Sequence, residues 1–129
     1  EIFSRRGLSV DVGGTWLLPR LIGMHRAKEL AFFADVISAQ EAAGMGLVNR
    51  VVPAAELDGF VRGWADRLAA GPPIALSMTK RLLTNAFSVT LDEALEHEAM
   101  AQSVNLATED TGEAIKAFLE KREPRFKGR

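Results

Sequence analysis

Cysteine is missing altogether from the 129 residues. That excludes disulfides and thiol chemistry and fits a reducing, cytoplasmic setting. Histidine is scarce, with only His25 and His97, far apart in the chain. His97 lies in the run EHE, which suits a helix surface, so no metal site is expected: one would need more ligands at tighter spacing. Excess charge is lacking as well. Sixteen Lys and Arg against seventeen Asp and Glu leave a net charge of −1, which makes no electrostatic case for nucleic acid or an anionic membrane. No apolar run approaches the ~20 residues of a membrane span, and no signal peptide is visible. Neither GxGxxG nor GxxxxGK[ST] occurs, so dinucleotide and P-loop readings fail on residues. A Ser-His-Asp site has the residue types it needs but no nucleophile elbow.

What remains is an ordinary globular composition, 47% hydrophobic and 26% charged, of a size suited to one small domain. The pattern is dominated by helices. Ile2–Val10 reads as a short strand or strand end followed by a loop. Thr15–Gly23 reads as a helix, with Pro19 expected to kink or break it. Ala27, Leu30, Ala31 and Ala34 mark one face of the next helix. Ser38 with Glu41 forms a capping box, and Gly44 is placed to end that short helix. Leu47–Val52, β-branched and brief, is the best strand candidate.

Pro53 then opens a helix whose apolar stripe of Leu57, Phe60, Val61, Trp64, Ala65 and Leu68 predicts burial. The run GPP at 71–73 breaks that helix and starts another, carrying Ile74, Leu76, Met78, Leu82 and Leu83. Thr90 and Glu93 form a second capping box ahead of the longest helix, 91–107. A last helix, 111–122, ends before Pro124, and its tail REPRFKGR is basic. The expectation is a mostly α-helical chain with one or two short strands. Its apolar stripes look more extensive than this much chain can cover, so a partner surface is plausible.

Asp11 stands just ahead of Gly13-Gly14 and a helix start. By residue type it is either a helix N-terminus group interacting with the dipole or an acid/base. The glycines can present free N–H groups to an anion or a carbonyl oxygen. At the other end Lys121, Arg122, Arg125, Lys127 and Arg129 are either a solvated helix end or a phosphate contact. Phe118 and Trp16 each have a packing reading beside a ligand-contact reading.

Four stretches in order, GLSVDVGGTWLLPRLIG, ISAQEAAGMGLVNRVVP, TLDEALEHEAMAQ and AFLEKREPRFKG, resemble the crotonase family of enoyl-CoA hydratases and isomerases. The resemblance runs from Gly7 to the C-terminus and is specific in its combination. It implies an α/β crotonase-like fold in the full family. This chain, which begins at Glu1 rather than Met, would supply the C-terminal half. Residues 1–52 would belong to the core, and 53–129 would be a helical region for trimerisation and CoA contact.

The implied chemistry is proton transfer beside an acyl-CoA thioester through an enolate, held by two backbone N–H donors that the family takes from its N-terminal half. No separate cofactor is implied, because coenzyme A is part of the substrate. Hydratases of the family carry a catalytic Glu at the position of Phe3, which cannot transfer a proton. Isomerases often carry an Asp at the position of Asp11, which the resemblance makes the acid/base. It also places Gly13, Gly14 and Trp16 at the substrate, with Trp16 beside the acyl chain, and Phe118 and Lys121 at CoA. A homotrimer or hexamer is expected, with no nucleic acid or membrane partner. An alternative is a non-catalytic piece or assembly module without the oxyanion donors.

Overall fold

A computed structural model describes residues 2–129, and every described element is helical. Seven α-helices follow in order: α1 Gly14–Ile22, α2 Met24–Phe33, α3 Ala39–Gly44, α4 Leu57–Ala69, α5 Pro73–Asn85, α6 Leu91–Leu106 and α7 Glu109–Glu120. Short 3-10 turns occupy Ser4–Arg6, Ala54–Glu56 and Ala86–Ser88. The α/β crotonase-like fold is implied for the full family; the expectation that this mostly α-helical chain would carry one or two short strands is corrected, since no strand exists among the described residues. The first candidate is a 3-10 turn at Ser4–Arg6, and Leu47–Val52 is turn and irregular chain. Local β propensity suits a residue to a pleated surface, but a strand also needs a neighbouring strand for its N–H and C=O groups; among the described residues Leu47–Val52 has none, and the Leu47 N–H donates instead to the Ala42 carbonyl at 2.9 Å.

The chain divides into two compact units, meeting in sequence at Leu57 and Asp58. In the first, α1 packs on α2 and the N-terminal turn packs on α2. Arg5 fastens that turn, donating to Asp35 Oδ1 at 2.6 Å and to the Phe33 carbonyl at 3.2 Å. α1 continues through Pro19 and stops at Ile22. The ring removes only the bond to the Thr15 carbonyl, so the expected kink or break does not occur, and the helix runs on to its C-cap, Gly23, whose N–H donates to the Pro19 carbonyl. The capping box before α3 forms in full: Glu41 N–H donates to Ser38 Oγ at 3.2 Å, and Ser38 N–H donates to Glu41 Oε2 at 2.7 Å. The left-handed residue after α3 is Gly46, φ +83°, rather than Gly44.

In the second unit α5 packs on α6, and α6 on α7. Pro72 caps α5 and Pro73 opens it, as a residue without an N–H suits a first turn. Thr90 and Glu93 cap α6 reciprocally, at 3.3 Å and 2.8 Å. The buried apolar residues across both units are Ile22, Ala27, Ala34, Ala42, Ala101 and Ala117. Small side chains let helices approach closely but remove little area from water each. The α4 stripe, expected to be buried, lies open: Leu57 is 50% exposed, Val61 54% and Leu68 61%. Helical periodicity tells which face is apolar, not whether anything covers it.

Candidate functional site

Asp11 begins a tight turn. Its carbonyl accepts from Gly14 N–H at 2.9 Å, and the two residues between, Val12 and Gly13, are both left-handed at φ +50° and +78°. Such a turn suits glycine at its second central position, whereas a β-branched residue at the first is strained. Val12 is the strained residue, and its side chain is almost wholly solvent-exposed. Strain of this kind persists only where surrounding structure holds it, and it concentrates at functional turns. Gly13 is the N-cap of α1, and no side chain caps that helix. The Asp11 carboxylate is exposed and makes no hydrogen bond or ion pair among the described residues. The side-chain capping role is therefore unoccupied.

Beside this turn an apolar cleft of about 200 Å³ opens between α1 and α2, lined by Val10, Gly14, Thr15, Leu18, Met24 and Phe32 among others. Gly14 lines it, whereas Gly13 and Asp11 are not among its lining residues. Trp16 is not among its lining residues. The guanidinium of Arg20 lies 3.9 Å from the Trp16 ring centroid and donates to the Trp16 carbonyl at 2.8 Å, a cation–π arrangement.

Phe118 and Lys121 lie in the second unit, at the end of α7. Lys121 N–H donates to the Phe118 carbonyl at 3.2 Å, and Arg122 N–H to the Ala117 carbonyl at 3.0 Å. This is a Schellman ending, whose left-handed residue is usually glycine. Here it is Lys121, at φ +53° and ψ +43°. Phe118 is 82% exposed one turn earlier, so it is not core.

A chain reversal at Lys121 sends the tail back along α7. Arg122 grips Glu113 with both terminal nitrogens, at 2.6 and 3.0 Å, and Glu120 through Nε at 2.6 Å. Glu113 Oε1 also accepts from Arg125 N–H at 2.9 Å. Hydrogen bonding to Arg122, then to the Arg125 amide, holds the Glu113 carboxyl down at about 2. The same contacts, with Glu113 first and Glu120 second, raise Arg122. Further on, Asp110 is buried and accepts from Lys127 N–H at 2.6 Å and Gly128 N–H at 2.8 Å.

The basic tail thus separates by partner. Arg122 and Arg129 are paired with Glu113, Glu120 and Glu109. The side chains of Lys121, Arg125 and Lys127 have no carboxylate partner among the described residues. The acidic half of this arrangement escaped sequence reading. Glu113 and Arg122 are nine positions apart, a spacing that means nothing on a helix and becomes a contact only because the chain turns at Lys121. Among the described residues, no three His, Asp or Glu side chains converge as a metal site would require, and no helix is long and apolar enough to cross a membrane.

The family model described as Enoyl-CoA hydratase/isomerase matches residues 2–129. The chain belongs to the enoyl-CoA hydratase/isomerase family. Its curated relatives in that family include a protein of Rhodobacter capsulatus named "Probable enoyl-CoA hydratase", 43% identical over all of this chain and 50% of its own. Another is the 1,2-epoxyphenylacetyl-CoA isomerase of Escherichia coli, 38% identical over 98% of this chain and 48% of its own. Among solved structures, the enoyl-CoA hydratase of Bacillus anthracis superposes with a TM-score of 0.93 at 40% identity, covering 98% of this chain and 49% of its own. The chain spans about half the length of the relatives it matches. The crotonase resemblance drawn from the four stretches is thereby upheld at the level of the family.

Proposed function

We propose that the polypeptide carrying this sequence processes acyl-CoA thioesters by isomerase-like proton transfer, with Asp11 as the acid/base. In this reading the Asp11 carboxylate takes a proton from C2 of a β,γ-enoyl-CoA. The electron pair of that C–H bond moves into the C1–C2 bond, and charge collects on the thioester oxygen. Two backbone N–H donors would stabilise that oxygen; the family resemblance assigns them to a segment this sequence does not contain. Collapse of the enolate forms the C2–C3 double bond, the former C3–C4 pair takes the proton at C4, and Asp11 is regenerated. The cleft beside Gly14 suits the chain carbons. By the family resemblance Phe118 and Lys121 meet CoA, often that of a neighbouring subunit, Lys121 as a point charge on phosphate.

The observation that carries the reading is the Asp11 carboxylate itself, unpaired among the described residues and presented by a strained turn two positions ahead of Gly13. Phe3 at the hydratase position argues for migration of the double bond over hydration by two carboxylates. Turnover of β,γ-enoyl-CoA by the whole polypeptide and by its Asp11→Asn variant tests this. Removing the acid/base should lower kcat by about 10²–10⁴; equal rates would remove Asp11 from the mechanism.

A second reading has its own support. The open α4 face of Leu57, Val61, Trp64 and Leu68 suits a module that assembles with a complementary segment or with further copies, as a trimer or hexamer would require, and is inert alone. Turnover by the isolated 129-residue chain at the rate of the whole polypeptide would defeat it.

A further inference from the structure

Lysine is a costly choice at a left-handed helix ending. The Schellman position at Lys121 asks for φ +53°, where glycine has no penalty and other L-residues are crowded. The Lys121 side chain has no hydrogen bond or ion pair among the described residues that offsets this. What holds the backbone there is the residue that follows. Arg122 is fixed by its own N–H to Ala117, by a two-pronged grip on Glu113 and by Glu120. Glu113 fixes the next stretch through Arg125 N–H.

We propose that the Glu113–Arg122 clamp is a positioning device: it locks Lys121 in its left-handed turn and so aims an unpaired ammonium at the phosphates of CoA. This rests on the reading above that Lys121 meets CoA. Glu113 and Arg122 are positioning residues and touch no substrate. A planar fork on a carboxylate fixes direction as well as distance, and an ammonium on a flexible stem gains from a fixed starting point.

The test uses the whole polypeptide that carries this sequence, with CoA and pantetheine as calorimetric probes and β,γ-unsaturated hexenoyl-CoA as substrate. Glu113→Gln keeps an oxygen for the Arg125 amide but loses the charge. Arg122→Lys keeps the charge but loses the fork; its side chain is partly exposed, so it carries the test should Glu113→Gln misfold. Each variant is expected to weaken CoA and raise KM about threefold, the scale of misdirecting one exposed charge. The expected kcat and pantetheine affinity are unchanged. Lys121→Gln is expected to weaken CoA about fivefold on the same scale, and in that background the clamp variants should add nothing.

Loss of CoA affinity in Lys121→Gln with none in either clamp variant overturns the clamp and leaves the CoA reading standing. Full additivity of clamp and Lys121 variants also overturns the clamp, since its effect would then not pass through Lys121. Unchanged CoA affinity in Lys121→Gln overturns the CoA reading of that residue and the clamp with it.

Discussion

Replacing Lys121 with glycine should stabilise the fold while weakening its hold on CoA. The backbone at 121 is left-handed, φ +53° and ψ +43°, a conformation that costs an L-residue roughly 1–2 kcal/mol. Glycine escapes that cost but loses more freedom on folding, which returns roughly 0.5–1 kcal/mol. No hydrogen bond or ion pair of the Lys121 side chain is lost among the described residues. The net gain is then about 0.5–1 kcal/mol, or about 1–4 °C in Tm for a polypeptide of the relatives' size. Thermal unfolding of the whole polypeptide, followed by circular dichroism with and without the substitution, measures it directly. A lower Tm for Lys121→Gly would refute the reasoning, because Lys121 would then be contributing contacts that outweigh its backbone. A higher Tm together with weaker CoA binding is the trade expected where a strained residue is kept for its side chain.

Other outcomes follow from the same contacts. Glu113 is held near 2 against an ordinary 4.5 by Arg122 and the Arg125 amide. Its contribution to stability is therefore complete above about pH 4.5 and is lost as pH falls toward about 2. Glu113→Gln should flatten that acid limb of an unfolding-versus-pH profile, and an unchanged limb would contradict the assignment. Thr90→Ala removes the oxygen that accepts from Glu93 N–H at 3.3 Å and should cost about 1 kcal/mol in urea unfolding. Gly128→Ala would place a Cβ 2.8 Å from Pro73 Cγ at φ +73°, so about 1–2 kcal/mol of destabilisation is expected from the backbone alone, measured in the same assay.

Sequence signals are decisive in this chain where the physics is local. Both capping boxes formed with the residues expected, because Ser38–Glu41 and Thr90–Glu93 settle their hydrogen bonds within one helical turn. The proline start of α5 is of the same kind. Leu47–Val52 failed as a strand because strand formation depends on a neighbour that the six residues do not encode. The α4 stripe failed as a burial prediction for a related reason: its spacing defines an apolar face, and coverage is a property of other chain.

Asp11 was legible as a residue type and, through the family resemblance, as a position. Its freedom from capping and the strain at Val12 needed the backbone geometry. The Glu113–Arg122 clamp was invisible because a nine-residue separation becomes a contact only through the reversal at Lys121.

Whether Asp11 carries the proton is read from solvent deuterium incorporation during double-bond migration of β,γ-unsaturated hexenoyl-CoA by the whole polypeptide, beside its Asp11→Asn variant. Wild-type protein should convert the substrate, and wherever the proton on the Asp11 carboxyl exchanges with solvent before it is passed on, deuterium should enter C4 of the product and C2 of the recovered substrate. Asp11→Asn should bind CoA unchanged while losing conversion and exchange together. Exchange and conversion at wild-type rates in Asp11→Asn would contradict that role.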